Sequence, residues 1–226
     1  MRTIRTLAIT LLVAACAPGE QDAVMTDSSA MDMEDADIAP AGGSGVPSGY
    51  AGRTDRPNQN IGDASYTSSG DRWEVRTGPA HIVYSVGDSV SGEYSVTATL
   101  EQAEQPEHPE AYGIFIGGQN LDQPSVEYTY FLVRGTGEYL VKVREGEETR
   151  NVVGWTASEH VPKADSTTGR GSYELTAETD ADSVHFLVND EQVAAVAAGA
   201  VPTAGIAGLR INHNLHLMVT PIAIDR

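Results

Sequence analysis

The chain of 226 residues contains a single cysteine, Cys16, so no intramolecular disulfide forms and any fold must rest on its core. Positive charge is scarce: 14 Lys and Arg stand against 32 Asp and Glu, a formal net charge of −18. A body this acidic repels phosphate backbones, which argues against a nucleic-acid partner. No apolar run approaches the roughly 20 residues that cross a bilayer as a helix; the run from Leu7 to Ala15 is far shorter. Helical apolar periodicity nowhere lasts beyond a turn or two. There is no G-x-S-x-G elbow, no H-E-x-x-H pair and no glycine-rich loop between a strand and a helix. Their absence removes the usual signatures of serine hydrolases, zinc proteases and phosphate cradles.

At the N-terminus, Arg2 and Arg5 precede the apolar run, which ends in Val13-Ala14-Ala15-Cys16. This arrangement resembles the lipobox of a bacterial lipoprotein signal peptide. The resemblance implies removal of residues 1–15, a lipid on Cys16 and anchoring in the cell envelope. The other reading is an ordinary secretory signal with an incidental cysteine. Ala17 in place of Asp points, under the sorting rule this resembles, to the outer membrane. Residues 16–69 are then expected to form a disordered linker. Asp22, Asp27, Asp32, Glu34, Asp35 and Asp37 make its first half acidic, and Gly42-Gly43-Ser44-Gly45 is a flexible segment. The acidic run reads as a solvated spacer rather than a calcium site.

Residues 70–226 read as one β-rich domain. Tyr94, Val96, Ala98 and Leu100 alternate with Ser95, Thr97 and Thr99, the period-2 pattern of a half-buried strand. From Ala111 to Arg144 the spacing predicts three consecutive strands, the last two joined at Gly135-Thr136-Gly137. Thr129, Phe131 and Val133 fall on one side of the middle strand, and Tyr128, Tyr130, Leu132 and Arg134 on the other. Further strands are expected near Asn151–Trp155, Ser172–Glu178, Asp182–Val188, Gln192–Ala197, Gly205–Asn212 and Leu215–Ile224. Eleven or so short strands with turn-rich spacing predict an all-β fold, an antiparallel β-sandwich.

Four segments carry a family resemblance: Ala111–Gly118, Tyr130–Arg134, Val184–Asp190, and Gly205–Asn212 followed by Val219–Ile224. Together they are similar to the concanavalin A-like lectin/glucanase superfamily, a jelly roll. In particular they resemble its bacterial branch of LamG-type, 3-keto-disaccharide hydrolase-like domains. The resemblance spans about Arg72 to Asp225 and implies a glycan ligand, with or without cleavage. Retaining glucanases of this fold carry an E-x-D-x-E strand that aligns nucleophile and acid/base on one face. This chain has none; Glu145, Glu147 and Glu148 cluster at the Gly146 turn.

Sugars are held by aromatic faces stacked on ring C–H groups and by planar amides and guanidinium groups bonded to hydroxyls. The candidate carbohydrate-binding residues are Tyr112, Tyr130, Arg134, Lys142, Trp155, Arg210, Asn212 and His213. Tyr112 and Trp155 suit a core equally well, and Arg134 and Lys142 equally well balance an acidic surface. Asn120, Asp122 and Glu127 offer oxygen ligands for a structural calcium, and His213 with His216 offers two imidazoles to a metal; plain loop and surface roles compete with both. No cofactor is otherwise expected. The leading reading is a lipid-anchored, noncatalytic domain that binds carbohydrate or cell-envelope polysaccharide. Its rivals are a glycoside hydrolase using groups such as Glu127, His185 or His213, and a structural lipoprotein that binds an envelope protein.

Overall fold

The computed structural model describes residues 37–226 apart from 39 and 41. The expected signal peptide, Cys16 and most of the acidic run lie outside the described residues. The strands are β1 (Ala51–Thr54), β2 (Ser65–Ser69), β3 (Arg72–Arg76), β4 (His81–Tyr84), β5 (Ser89–Val90), β6 (Tyr94–Gln102), β7 (Ala111–Gln119) and β8 (Glu127–Arg134), continuing with β9 (Glu138–Glu145), β10 (Glu148–Ala157), β11 (Gly171–Thr179), β12 (Ser183–Val188), β13 (Glu191–Ala197), β14 (Gly205–Ile211), β15 (His216–Val219) and β16 (Ala223–Asp225).

They build two eight-stranded antiparallel sheets. One runs β1-β4-β14-β7-β8-β9-β10 with β5 beside β14; the other runs β13-β12-β11-β6-β15-β3-β2 with β16 beside β6. The first is called the β8 sheet and the second the β6 sheet. The molecule is an all-β jelly-roll sandwich, as the sequence led us to expect.

The core lies between the sheets. Tyr94, Val96, Ala98 and Leu100 of β6 face Ile114, Phe131, Val141 and Leu209 from the β8 sheet, all at most 5% exposed. Phe131 packs at 5.2 Å from Phe186 and 6.3 Å from Tyr139. His81 is buried at the same interface, with Nδ1 2.9 Å from Pro79 O and Nε2 2.6 Å from the Tyr66 hydroxyl. The carbonyl only accepts, so Nδ1 carries the proton and Nε2 accepts from Tyr66. Burial pulls the His81 pKa down to about 4, so the ring is neutral.

The linker expectation fails for its second half. The domain starts well before Gly70: β1 pairs with β4, and β2 pairs with β3. These strands, Ala-Gly-Arg-Thr and Ser-Tyr-Thr-Ser-Ser, carry little apolar surface, so composition reads them as coil. Each lies at the outer end of its sheet, where one row of hydrogen bonds and a few anchors suffice. Tyr50 and Tyr66 supply anchors, stacking edge-on against Trp73 at 4.8 and 5.9 Å. The stretch expected as one strand from Leu215 to Ile224 is two, β15 and β16, which separate around Pro221.

Candidate functional site

The outer face of the β8 sheet is unusual because it too is packed with large side chains. Cross-strand register places Ile82, Arg210, Gly113, Leu132 and Leu140 in one row. Phe115, Tyr130 and Lys142 form the next, followed by Tyr128 and Arg144. Tyr128 and Tyr130 are only 3% and 7% exposed and lie 5.7 Å apart. Burial raises the pKa of both phenols, so they stay protonated.

Arg210 is the buried cation of this face. Its Nη2 lies 2.5 Å from Asp55 Oδ2, and its Nη1 donates to the carbonyl of Ile211 at 2.8 Å. Burial disfavours the charged guanidinium, yet the Asp55 carboxylate and the two tyrosines outweigh it, and the pKa is raised overall. Arg210 Nε is buried and has no hydrogen-bond partner among the described residues. Asp55 follows β1 directly, so this ion pair ties the N-terminal strand to the middle of the sheet.

Beside this tie opens a cleft of about 610 Å³. One wall is the β1 strand and its following loop, with Arg53, Asp55, Gln59 and Asn60; the other is the β7–β8 loop, with Leu121, Asp122 and Gln123. Tyr84, Arg144 and Glu147 complete it. The walls are braced: Arg53 Nη1 donates to the carbonyls of Leu121 and Gln123 at 3.2 and 2.5 Å. Arg144 donates to the carbonyls of Gly146 and Asp55 at 2.5 and 3.4 Å. A bulge shapes the second wall, because the β7–β8 register shifts between Ile116 and Gln119. Gly117 sits there at φ 67°, where a Cβ would meet Pro202 O at 2.3 Å, so only glycine fits.

The structure divides the sequence candidates. Tyr130, Lys142 and Arg210 share the outer face of the β8 sheet, and Arg134 stands on it at the far end. Arg134 Nε bonds Glu138 at 2.8 Å, and its guanidinium covers Trp155 at 4.1 Å. The Arg134 bond, and after it that of the Thr136 hydroxyl, lowers the Glu138 pKa. Tyr112 is a core residue, fully buried, and its hydroxyl lies 3.4 Å from Gln102 Oε1. Asn212 and His213 leave the sheet: Asn212 Nδ2 donates to Glu110 at 3.1 Å, and His213 lies between Glu110 at 3.0 Å and Asp37 at 3.2 Å.

The metal candidates do not assemble. Asn120 turns its amide to Ser125 O at 3.3 Å, Asp122 lies in the cleft wall and Glu127 opens β8. His216 bonds Glu74 and Glu104 at 2.9 and 3.2 Å. No group of three or more His, Cys, Asp or Glu able to hold a metal occurs among the described residues. The hydrolase candidates are likewise dispersed. His185 is on the β6 sheet bound to Asp180 at 3.0 Å, while Glu127 and His213 belong to separate parts of the β8 sheet and its loops. The hydrogen bonds that the His185 ring makes to Asp180 and then to Gln192 raise its pKa.

Sequence reasoning missed Arg53, Asp55, Gln59, Asn60, Gln123, Tyr84 and Arg144 as site residues. Most lie in the stretch read as linker. The one legible signal was Arg53 itself, the first cation after a long acidic segment.

No family model matches the chain, and no curated protein matches it. Solved structures do. Carbohydrate binding module CBM66 from Bacillus subtilis superposes with a TM-score of 0.57 at 11% identity, over 79% of this chain and 96% of that one. A glycoside hydrolase family 16 protein from a mixed-linkage glucan locus of Bacteroides ovatus gives 0.55 at 7% identity, over 81% and 98%. A family 16 endo-glucanase from the same organism gives 0.54 at 9%, over 78% and 94%. At these identities the likeness is one of fold, and that fold is the jelly-roll β-sandwich.

Proposed function

We propose that the outer face of the β8 sheet, at the cleft between the β1 wall and the β7–β8 loop, binds carbohydrate without cleaving it. The observation that carries this reading is the convergence in one cleft of the planar amides of Gln59, Asn60 and Gln123 with the guanidinium groups of Arg53 and Arg144 beside the Tyr84 ring. These are the groups that bond sugar hydroxyls and pack against sugar C–H faces. Of the cleft's carboxylates, Asp55 is drawn from solvent and is engaged by Arg210, whereas Asp122 and Glu147 are exposed. Glycoside cleavage asks for two carboxylates held at a set separation, one of them a tuned acid. The neighbours named for carbohydrate binding and for glucan hydrolysis support a glycan ligand for this sandwich.

The same proposal places the domain in the cell envelope, tethered through lipid on Cys16 and facing cell-envelope polysaccharide. Labelled palmitate incorporated by the wild-type chain and not by Cys16→Ser tests the tether.

A glycan array probed with the purified chain, with and without calcium, tests the ligand. The expected result is selective binding that Gln123→Ala and Arg144→Ala each weaken while both variants still unfold cooperatively from a folded state. Binding to no glycan, or binding indifferent to both substitutions, overturns the reading.

A further inference from the structure

The cleft is lined by Arg53 and Arg144 together with Asp55, Asp122 and Glu147, and two further cations stand close by on the same sheet. Net charge is −18, yet Arg53, Lys142, Arg144 and Arg210 meet on or beside one face of the β8 sheet. Among the described residues, Arg210 alone of these four has a carboxylate partner, Asp55. Among the described residues, Arg53 and Arg144 make no ion pair, and Lys142 has neither an ion pair nor a hydrogen bond. The engaged donors of Arg53 and Arg144 go to backbone carbonyls. Such bonds fix a guanidinium in place without neutralising it, and each fork keeps further N–H groups free.

Three facts set the kind of ligand. Lys142 lies two residues before Arg144 on the same face of β9, within the reach of one sugar ring. Arg210 stands on the same face and offsets the Asp55 carboxylate that lines the cleft. Asp122 and Glu147 also line the cleft, but both are exposed and so face solvent that screens them. With an acidic surface all around, a long polyanion is repelled at distance while a single anionic group at the cleft is not.

Resting on the carbohydrate reading above, we propose that the cleft selects a short oligosaccharide carrying an anionic substituent, a uronate carboxylate or a sugar sulfate, held by Arg144 and Arg53 with Lys142 behind them.

Calorimetry on the full chain tests this with matched probes: the tri-uronates of glucose, galactose and mannose, their fully methyl-esterified forms, and lactose with and without a 3′-sulfate. The expected result is that at least one acidic probe binds roughly 10-fold or more tighter than its neutral partner. Arg144→Gln should erase that preference. Lys142→Gln, which breaks no hydrogen bond or ion pair among the described residues, should reduce it with unchanged thermal unfolding. A preference among the uronates or for the sulfate identifies which anion is read. Equal or tighter binding of the neutral partners overturns the proposal and leaves carbohydrate binding standing. No binding by any probe also overturns it, and the neutral glycan array then decides the broader reading separately.

Discussion

The two sheets solve burial differently. In the β6 sheet, β6 alternates buried and half-exposed residues along its whole length, and β12 does the same. Its outer side shows Thr97 and Thr176 sharing a 2.9 Å hydroxyl contact in view of solvent. In the β8 sheet, β7 is buried from Ala111 to Gly118, and β8 from Tyr128 to Val133. A sheet with one wet face needs only to be amphipathic. A sheet whose outer face gathers tyrosines, leucines and a buried arginine has been shaped for something besides the sandwich core. The contrast therefore points to the β8 sheet as the working surface and to the β6 sheet as its support.

The sharpest test of that contrast compares equivalent truncations. Phe131→Ala, between the sheets, should cost about 3–5 kcal/mol, which urea unfolding will read as a large drop in midpoint. Tyr130→Ala, on the outer side of the same strand, should cost about 3 kcal/mol because it is nearly as buried. If it costs no more than an exposed substitution, the outer face is not packed and the contrast collapses.

A pH series probes the interface between the sheets. The folded pKa of His81, about 4, lies below its ordinary value of 6.5. Between those values the unfolded chain binds a proton that the folded chain refuses, so its contribution is fully present above pH 6.5 and falls as pH drops toward 4. The loss amounts to about 3 kcal/mol. Replacing His81 with Gln should remove this part of the acid sensitivity, visible as a flatter plot of stability against pH over that window. An unchanged slope would mean that the ring does not titrate as its burial demands.

Asp55→Ala strips the partner from buried Arg210 and should destabilise by about 2 kcal/mol, below the usual range for a buried pair because Asp55 is a quarter exposed. The double variant Asp55→Leu with Arg210→Met should recover most of that stability yet not ligand binding. Recovery of both would show the pair to be packing alone. Smallest of all, Thr97→Ala on the open side of the β6 sheet should change stability by less than about 1 kcal/mol. A larger effect would mean that this face is not the passive one.

Much of the fold was legible because alternation reports burial directly. Tyr94 to Leu100 and Tyr128 to Arg134 placed their faces correctly, and most turns were marked by glycine or asparagine. Alternation failed to separate structural from functional positions where both faces are buried: Tyr112 and Tyr130 look equivalent in sequence, yet one fills the core and the other the outer face. It also failed at β1 and β2, since end strands with few apolar residues leave no periodic trace and are held by distant rings such as Trp73.

What the sequence determined by itself is the class of the molecule: an acidic, disulfide-free, all-β chain whose apolar residues repeat at period 2, enough to dictate a sandwich. What only the tertiary structure decided is the site. Arg53 and Asp55 lie far along the chain from Gln123, Arg144 and Arg210, and no local pattern links them. They meet because β1 adds to the end of the β8 sheet through β4 and because Arg210, buried where a lone charge is costly, draws Asp55 to itself.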